Sequence, residues 1–244
     1  MIFAIASGKG GVGKTWFAVT LAHVAALGGR RVLLFDADLG LANVDIQLGL
    51  MPDFDLSSVT AGRATLAEAV LHNAEGGFDI VAGRSGSGLL STLEPAVLER
   101  VLTGLRQLAE RYDVVLLDLG AGLERAVRRM SAWADCLLVI ATEEPTSLTD
   151  AYAVLKLHAA DKPQGNARIV VNQAATRQAG ERTYATLQRA CQTFLGRAPE
   201  CAGVIRRDDR VRDAIRRQTL LLTRYPNAPA AADVTAITER LLAT

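Results

Sequence analysis

The chain is 244 residues long, half of them hydrophobic, with a formal net charge of +1. That length and apolar content support one substantial core and require no second, so residues 1–244 read as a single domain. The near-neutral balance excludes a global attraction to nucleic acid or anionic lipid and leaves only local patches for such binding.

The first element is the apolar run Ile2 to Ser7, which carries no basic flank and passes straight into a glycine-rich loop, so it reads as a strand and not a signal peptide. The loop is Ser7-Gly8-Lys9-Gly10-Gly11-Val12-Gly13-Lys14-Thr15. Gly8, Gly13, Lys14 and Thr15 fill the G-x-x-x-x-G-K-[ST] pattern. In that pattern backbone N–H groups of Gly8, Gly10, Gly11, Val12 and Gly13 close around phosphate oxygens, Lys14 reaches the β/γ-phosphates and Thr15 holds Mg²⁺. Phe17, Leu21, Val24 and Ala25 continue it as a helix over 15–28, whose positive N-terminal end adds to the same field. A nucleotide held by its phosphates is the chemistry this arrangement implies. Thr15 to Gly29 is the longest uncharged stretch, and it is shorter than the ~20 apolar residues of a membrane span. The expected location is cytoplasmic.

Beyond it, short apolar runs at 32–36, 78–82, 114–118, 136–142, 169–172 and 204–205 alternate with helix-period segments at 57–74, 95–111, 122–133, 146–160, 180–195, 209–218 and 231–243. The alternation predicts an α/β fold: a doubly wound, mostly parallel sheet with helices on both faces and its ligand at the carboxyl ends of the strands. Asp36 ends the second strand, Asp38 opens the loop after it, and Asp118 ends Val114-Val115-Leu116-Leu117. A strand closing on Asp beside a phosphate loop places a carboxylate for Mg²⁺ or its waters, Asp118 foremost. Asp45 reads equally well as a solvated loop carboxylate. Cys136, Cys191 and Cys201 stand far apart without a C-x-x-C pair, which predicts buried or semi-buried thiols and no zinc or iron–sulfur site. His23, His72 and His158 are scattered and carry no assigned chemistry. In the last helix Val234, Ile237 and Leu241 share one face, and Asp233, Glu239 and Arg240 are its charges. That composition predicts a helix docked on the domain, with membrane attachment weak or absent.

Lys9, the additional lysine of Lys9-Gly10-Gly11-Val12-Gly13-Lys14-Thr15, gives this loop its resemblance to the deviant Walker A motif of the MinD/ParA family of ATPases. Asp36-Ala37-Asp38-Leu39-Gly40-Leu41-Ala42-Asn43-Val44-Asp45, followed by Leu48-Gly49-Leu50, resembles a MinD-type switch I. Its wording is closest to the flagellar-number regulators, the FlhG/FleN (YlxH) branch, and Glu144 to Tyr152 with Lys156 a turn later is similar to that branch again. The resemblance implies a P-loop NTPase that binds ATP and Mg²⁺, forms an ATP-dependent homodimer, hydrolyses slowly by in-line attack of water, and regulates flagellar number or placement through a flagellar regulatory or assembly protein. By position, Lys14 and Thr15 become the phosphate and Mg²⁺ ligands, with Asp36 and Asp118 holding the metal through water. Asp38 orients the attacking water, Lys9 reaches the phosphates of the partner subunit, Asn172 reads adenine, and residues 118–122 form switch II. Trp16 stands where relatives have a small residue; it reads as a packing residue of the helix, with a nucleotide or dimer contact as the alternative. Gly120 replaces the usual proline of switch II, which predicts a looser loop. Relatives of this branch commonly carry an N-terminal extension that engages a partner, and this chain starts at the strand, so activation of a partner GTPase by such a segment is not expected.

Two other roles are compatible with the same family. Arg206, Arg207, Arg210, Arg212, Arg216, Arg217 and Arg224 form a cluster of the kind a ParA-type partitioning ATPase uses on nonspecific DNA. The interspersed Asp208, Asp209 and Asp213 weaken its field and favour a solvated charged helix. A MinD-like regulator of the division site is the other.

Overall fold

A strand that is apolar at every position can only be covered on both faces, and β1 (Ile2–Ala6) is such a strand. The computed structural model describes residues 1–38, 43–72, 75–83 and 94–243. Within them the other strands are β2 (Val32–Ala37), β3 (Val70–Leu71), β4 (Asp79–Val81), β5 (Val114–Leu119), β6 (Cys136–Ala141), β7 (Asn166–Ala174) and β8 (Glu200–Arg206). They form one sheet in the order β3-β4-β2-β5-β1-β6-β7-β8. Every neighbouring pair is parallel except β3 on β4, so the mostly parallel sheet expected from the sequence is borne out with one reversed edge strand.

The helices are α1 (Lys14–Leu27), α2 (Val44–Leu48), α3 (Leu56–Thr60), α4 (Pro95–Ala109), α5 (Arg125–Trp133), α6 (Pro145–Asp161), α7 (Arg177–Leu195), α8 (Asp209–Arg216), α9 (Leu221–Arg224) and α10 (Pro229–Leu242). The two-residue period of the strands sorts the core. Phe3, Ile5, Leu34, Leu116 and Leu138 pack on one face with residues of α1, α9 and α10. Ala4, Leu33, Phe35, Leu117 and Val139 pack on the other with residues of α4, α5, α6 and α7. α1 has no polar stripe because it is wedged between the sheet and α10, which buries Trp16 through Ala25.

α10 is docked, as its sequence predicts: Ala230, Val234, Ile237 and Leu241 are buried against the same core as α1. Its Asp233 is buried too, and pairs with Arg177 at 3.0 Å and Arg206 at 2.8 Å. A buried carboxylate needs such partners, and these pin α10 to the start of α7 and the end of β8.

Other boundaries move. The helix expected over 57–74 is only α3, followed by a turn and then β3. Gly62, at φ +71°, leaves the helical path, and the Arg63 N–H closes back on the Ser58 carbonyl at 2.9 Å. Val70 and Leu71 then zip onto β4. The helix expected from 122 begins at Arg125, after Gly122 at φ +115°. β7 and β8 are longer than the runs 169–172 and 204–205 because their ends are polar, and α2 and α9 lie in stretches with no helical signal.

Candidate nucleotide site

β1 lies between β5 and β6, so the loop leaving it opens at the carboxyl edge where successive connections diverge to either side. This is residues 7–15, and Lys14 and Thr15 already belong to α1. Two of its glycines are required by the fold. A Cβ on Gly8 would lie 2.6 Å from the backbone oxygen of Asp150, and Gly13, at φ +92°, would put one 2.4 Å from Asn172 Nδ2. Gly10 is different: a Cβ there meets nothing within 4 Å. Nothing among the described residues excludes a side chain at 10, so the space it leaves is space for something else.

The carboxylates converge beneath this loop. Asp36 and Asp118 are register partners across β2 and β5, both buried. Asp36 spends both oxygens on main chain: Oδ1 accepts from Asp38 N, and Oδ2 from Asn43 N and Val44 N, each at 3.1 Å. Burial first, and then the charge of Asp118, push its carboxyl well above the ordinary range, against the pull of those three N–H groups. Burial also raises Asp118, opposed by a hydrogen bond from Thr15 and the attraction of Lys14. Its Oδ1 has no partner among the described residues. Asp38 is half-buried and rests against Gly120, where a Cβ would stand 3.3 Å from Oδ1. The glycine at 120 makes room for this carboxylate, a reason for the absent proline that the sequence did not reveal.

Lys9 is turned out of the loop. Its Nζ donates to Glu144 Oε2 at 2.5 Å and to Thr146 Oγ1 at 3.2 Å, with 41% of the side chain exposed. Asn172, which ends the apolar part of β7, donates from Nδ2 to the Val12 carbonyl at 2.8 Å and accepts from Gln173 N through Oδ1 at 2.8 Å. In this state it braces the phosphate loop. Trp16 is 5% exposed within the core, as its packing role predicts, yet it also lines the cavity, and its Nε1–H has no partner among the described residues.

The cavity in front of the loop is about 580 Å³ and is lined by Gly10, Gly11, Gly13, Lys14, Thr15 and Asp38, with α2 and the end of α8 on its far side. A larger cleft of about 740 Å³ between α4 and α5 offers Arg125, Arg128 and Arg129 but no backbone cradle, and two of these arginines are paired, with Asp161 and Glu99. The loop cavity therefore has the chemistry of a polyphosphate site. A nucleotide with a divalent cation fits the residues present: open space over Gly10, a buried lysine, a threonine hydroxyl, and a buried carboxylate oxygen at Asp118 that has no partner among the described residues.

The profile of the CobQ/CobB/MinD/ParA nucleotide binding domain matches residues 3–221. The chain belongs to this family. As a MinD/ParA-type protein it binds nucleotide and is an ATPase. It is 36% identical over 240 residues to the antiactivator FleN of Pseudomonas aeruginosa, covering 98% of this chain and 85% of that protein. It is 28% identical over 225 residues to the flagellum site-determining protein YlxH of Helicobacter pylori, covering 92% of this chain and 76% of that one. These similarities bear out the FlhG/FleN branch. The septum site-determining protein MinD of Pyrococcus horikoshii, solved in complex with Mg-ADP, superposes with a TM-score of 0.81 at 23% identity, over 98% of this chain and 95% of that one.

Within this MinD/ParA protein the arginine cluster is divided. Arg206 is held by Asp233, and Arg217 and Arg224 share Asp213. The partners of Lys9 lie in the Glu144 to Tyr152 motif that marked the branch, but which residues of that motif bond it was not legible. Cys136 and Cys191 are buried free thiols and Cys201 is half-buried, as their spacing predicts. Asp45 is half-buried in the first turn of α2. No helix among the described residues is long and apolar enough to cross a membrane.

Proposed function

We propose that the chain is an ATP- and Mg²⁺-dependent dimeric switch, hydrolysing slowly, that regulates flagellar number or placement. The observation that carries the reading is the contrast between two lysines of one loop. Lys14 is buried in the cavity beside Asp118, whereas Lys9 stands outside it on Glu144 and Thr146. A lysine outside its own cavity is free to serve the phosphates of a facing subunit. Similarity to FleN along 98% of the chain supports the flagellar part. The same reading puts the protein in the cytoplasm, the compartment that supplies ATP, as one domain with weak or no membrane attachment.

Lys14 and the N–H groups of residues 8–13 neutralise the β/γ-phosphates, and Thr15, Asp118 and Asp36 hold Mg²⁺, the two aspartates through water. The cation, when bound, draws charge off the phosphate oxygens. Asp38 holds the attacking water in line, a task for which its seat against Gly120 suits it. Asn172 takes the adenine with its remaining amide valences while bracing Val12, and Trp16 packs beneath the nucleotide. Lys9 contributes charge only when two ATP-bound copies face each other.

Light scattering with ATP, run beside phosphate release, tests this. Lys9→Ala is expected to bind ATP yet stay monomeric and inactive, and Asp38→Ala to accumulate as an ATP-bound dimer that turns over poorly. A Lys9→Ala variant that dimerises and hydrolyses normally refutes the facing-subunit role, and an Asp38→Ala variant that stays monomeric moves Asp38 to assembly. Flagella are then counted in cells carrying Lys14→Ala, and an unchanged number refutes the flagellar reading.

A further inference from the structure

The far wall of the nucleotide cavity is the end of α8, where Ile215, Arg216 and Gln218 face the loop across Asn43, Ile46 and Gln47. This end is fixed in place. Gln218 takes a left-handed backbone, φ 52°, and its Nε2 donates to the Ile46 carbonyl in α2 at 2.8 Å. A non-glycine residue adopts this conformation at a cost, and here the side-chain bond it makes joins α8 to α2.

Two adjacent arginines at this point have different fates. Arg217 Nε donates to both oxygens of Asp213, at 3.1 and 3.0 Å, and Arg224 Nε reaches the same carboxylate at 3.2 Å. Arg216 is exposed on the cavity wall and has no ion pair among the described residues. The negative end of α8 favours a cation at this position, but that effect is the same for a lysine and for any direction of the side chain. What singles out Arg216 is that it shares one cavity with Lys14 and the glycine backbone. A planar guanidinium there can take two phosphate oxygens in one fixed fork, whereas an ammonium acts as a point charge without that geometry.

We propose that Arg216 is a second cation of the nucleotide site, closing over the polyphosphate from the α8 side while Lys14 holds it from the loop. The inference rests on the ATP reading above and adds to it a residue outside the phosphate-loop motif. It also assigns one arginine of the 206–224 cluster to nucleotide and removes it from the set available to DNA.

Isothermal titration calorimetry of the full chain with ATP and with ADP, on wild type, Arg216→Ala, Arg216→Lys and Arg212→Ala, tests it. Arg212 is exposed on the same helix, outside the cavity, and its loss removes the same net charge. Arg216→Ala is expected to weaken ATP binding about tenfold, equivalent to about 1.4 kcal/mol. Arg216→Lys is expected to recover part of that, and Arg212→Ala to stay within about twofold of wild type. A loss for ATP alone or for both nucleotides supports the assignment. Wild-type ATP affinity in Arg216→Ala overturns it, and so does an equal loss in Arg212→Ala, which would make the effect one of general field. A wild-type protein that binds neither nucleotide refutes the proposed function instead.

Discussion

Two glycines of one loop should fail in different ways when each becomes alanine. At Gly13 the backbone sits at φ +92°, which costs an L-residue about 1–2 kcal/mol. The new Cβ would lie 2.4 Å from Asn172 Nδ2, and this amide cannot swing aside freely, because it bonds the Val12 carbonyl and the Gln173 N–H at 2.8 Å each. Leaving those buried groups unpaired adds about 1–3 kcal/mol, for a total of roughly 2–5 kcal/mol. In a domain of this length each kcal/mol is worth about 2–4 °C, so Gly13→Ala should lower the melting temperature of the nucleotide-free protein by roughly 5–20 °C. Gly10 lacks the left-handed backbone and its Cβ would meet nothing within 4 Å among the described residues, so Gly10→Ala should melt within about 2 °C of wild type. It should nonetheless weaken ATP binding, because the methyl group enters the cradle. Scanning fluorimetry without nucleotide and calorimetric titration with ATP read the two effects separately. Equal destabilisation by both substitutions, or wild-type ATP affinity in Gly10→Ala, would falsify the division between a glycine kept for the fold and one kept for the ligand.

Removing one charge from the buried pair should stabilise the empty protein. Asp36 and Asp118 both have raised pKa values, so the folded state keeps protons that the unfolded chain releases, and their contribution falls as pH rises above the ordinary carboxylate range. Asp118→Asn is therefore expected to gain about 1–3 kcal/mol near pH 8 and less near pH 5. The variant-minus-wild-type difference is the quantity to read, since His23 and His158, kept neutral by burial, give both proteins the same opposing slope. A difference that is constant with pH, or that shrinks toward alkaline pH, contradicts the assignment. Glu144→Gln removes the partner of Lys9 from an exposed pair, so the melting temperature should stay close to that of wild type. ATP-driven dimers should then form at up to about fivefold lower protein concentration in sedimentation velocity. Weaker dimers would place Glu144 in the subunit contact.

The phosphate loop and the strand-end aspartates were legible because their chemistry is local: Gly13-Lys14-Thr15 and the runs ending in Asp36 and Asp118 each carry their meaning in a few consecutive residues. The sheet was legible for the same reason, its parallel strands being apolar without interruption. Contacts between distant segments were not. Nothing near Gly120 announces that Asp38 needs the room, and nothing near Asp233 announces Arg177 and Arg206. The segment 57–74 misled because its apolar spacing serves a short helix and then an edge strand, two uses that periodicity alone does not separate.

Asp36 shows how easily the site could be misread by mutation. Its two oxygens tie residues 38, 43 and 44 back to the end of β2, so one carboxylate holds both Asp38 and the start of α2. Asparagine at this position would offer one acceptor where two are in use, and glutamate would carry the acceptors a methylene too far. An inactive Asp36→Ala protein therefore does not diagnose a metal ligand, because Asp38 and the start of α2 lose their moorings before the cation enters the question.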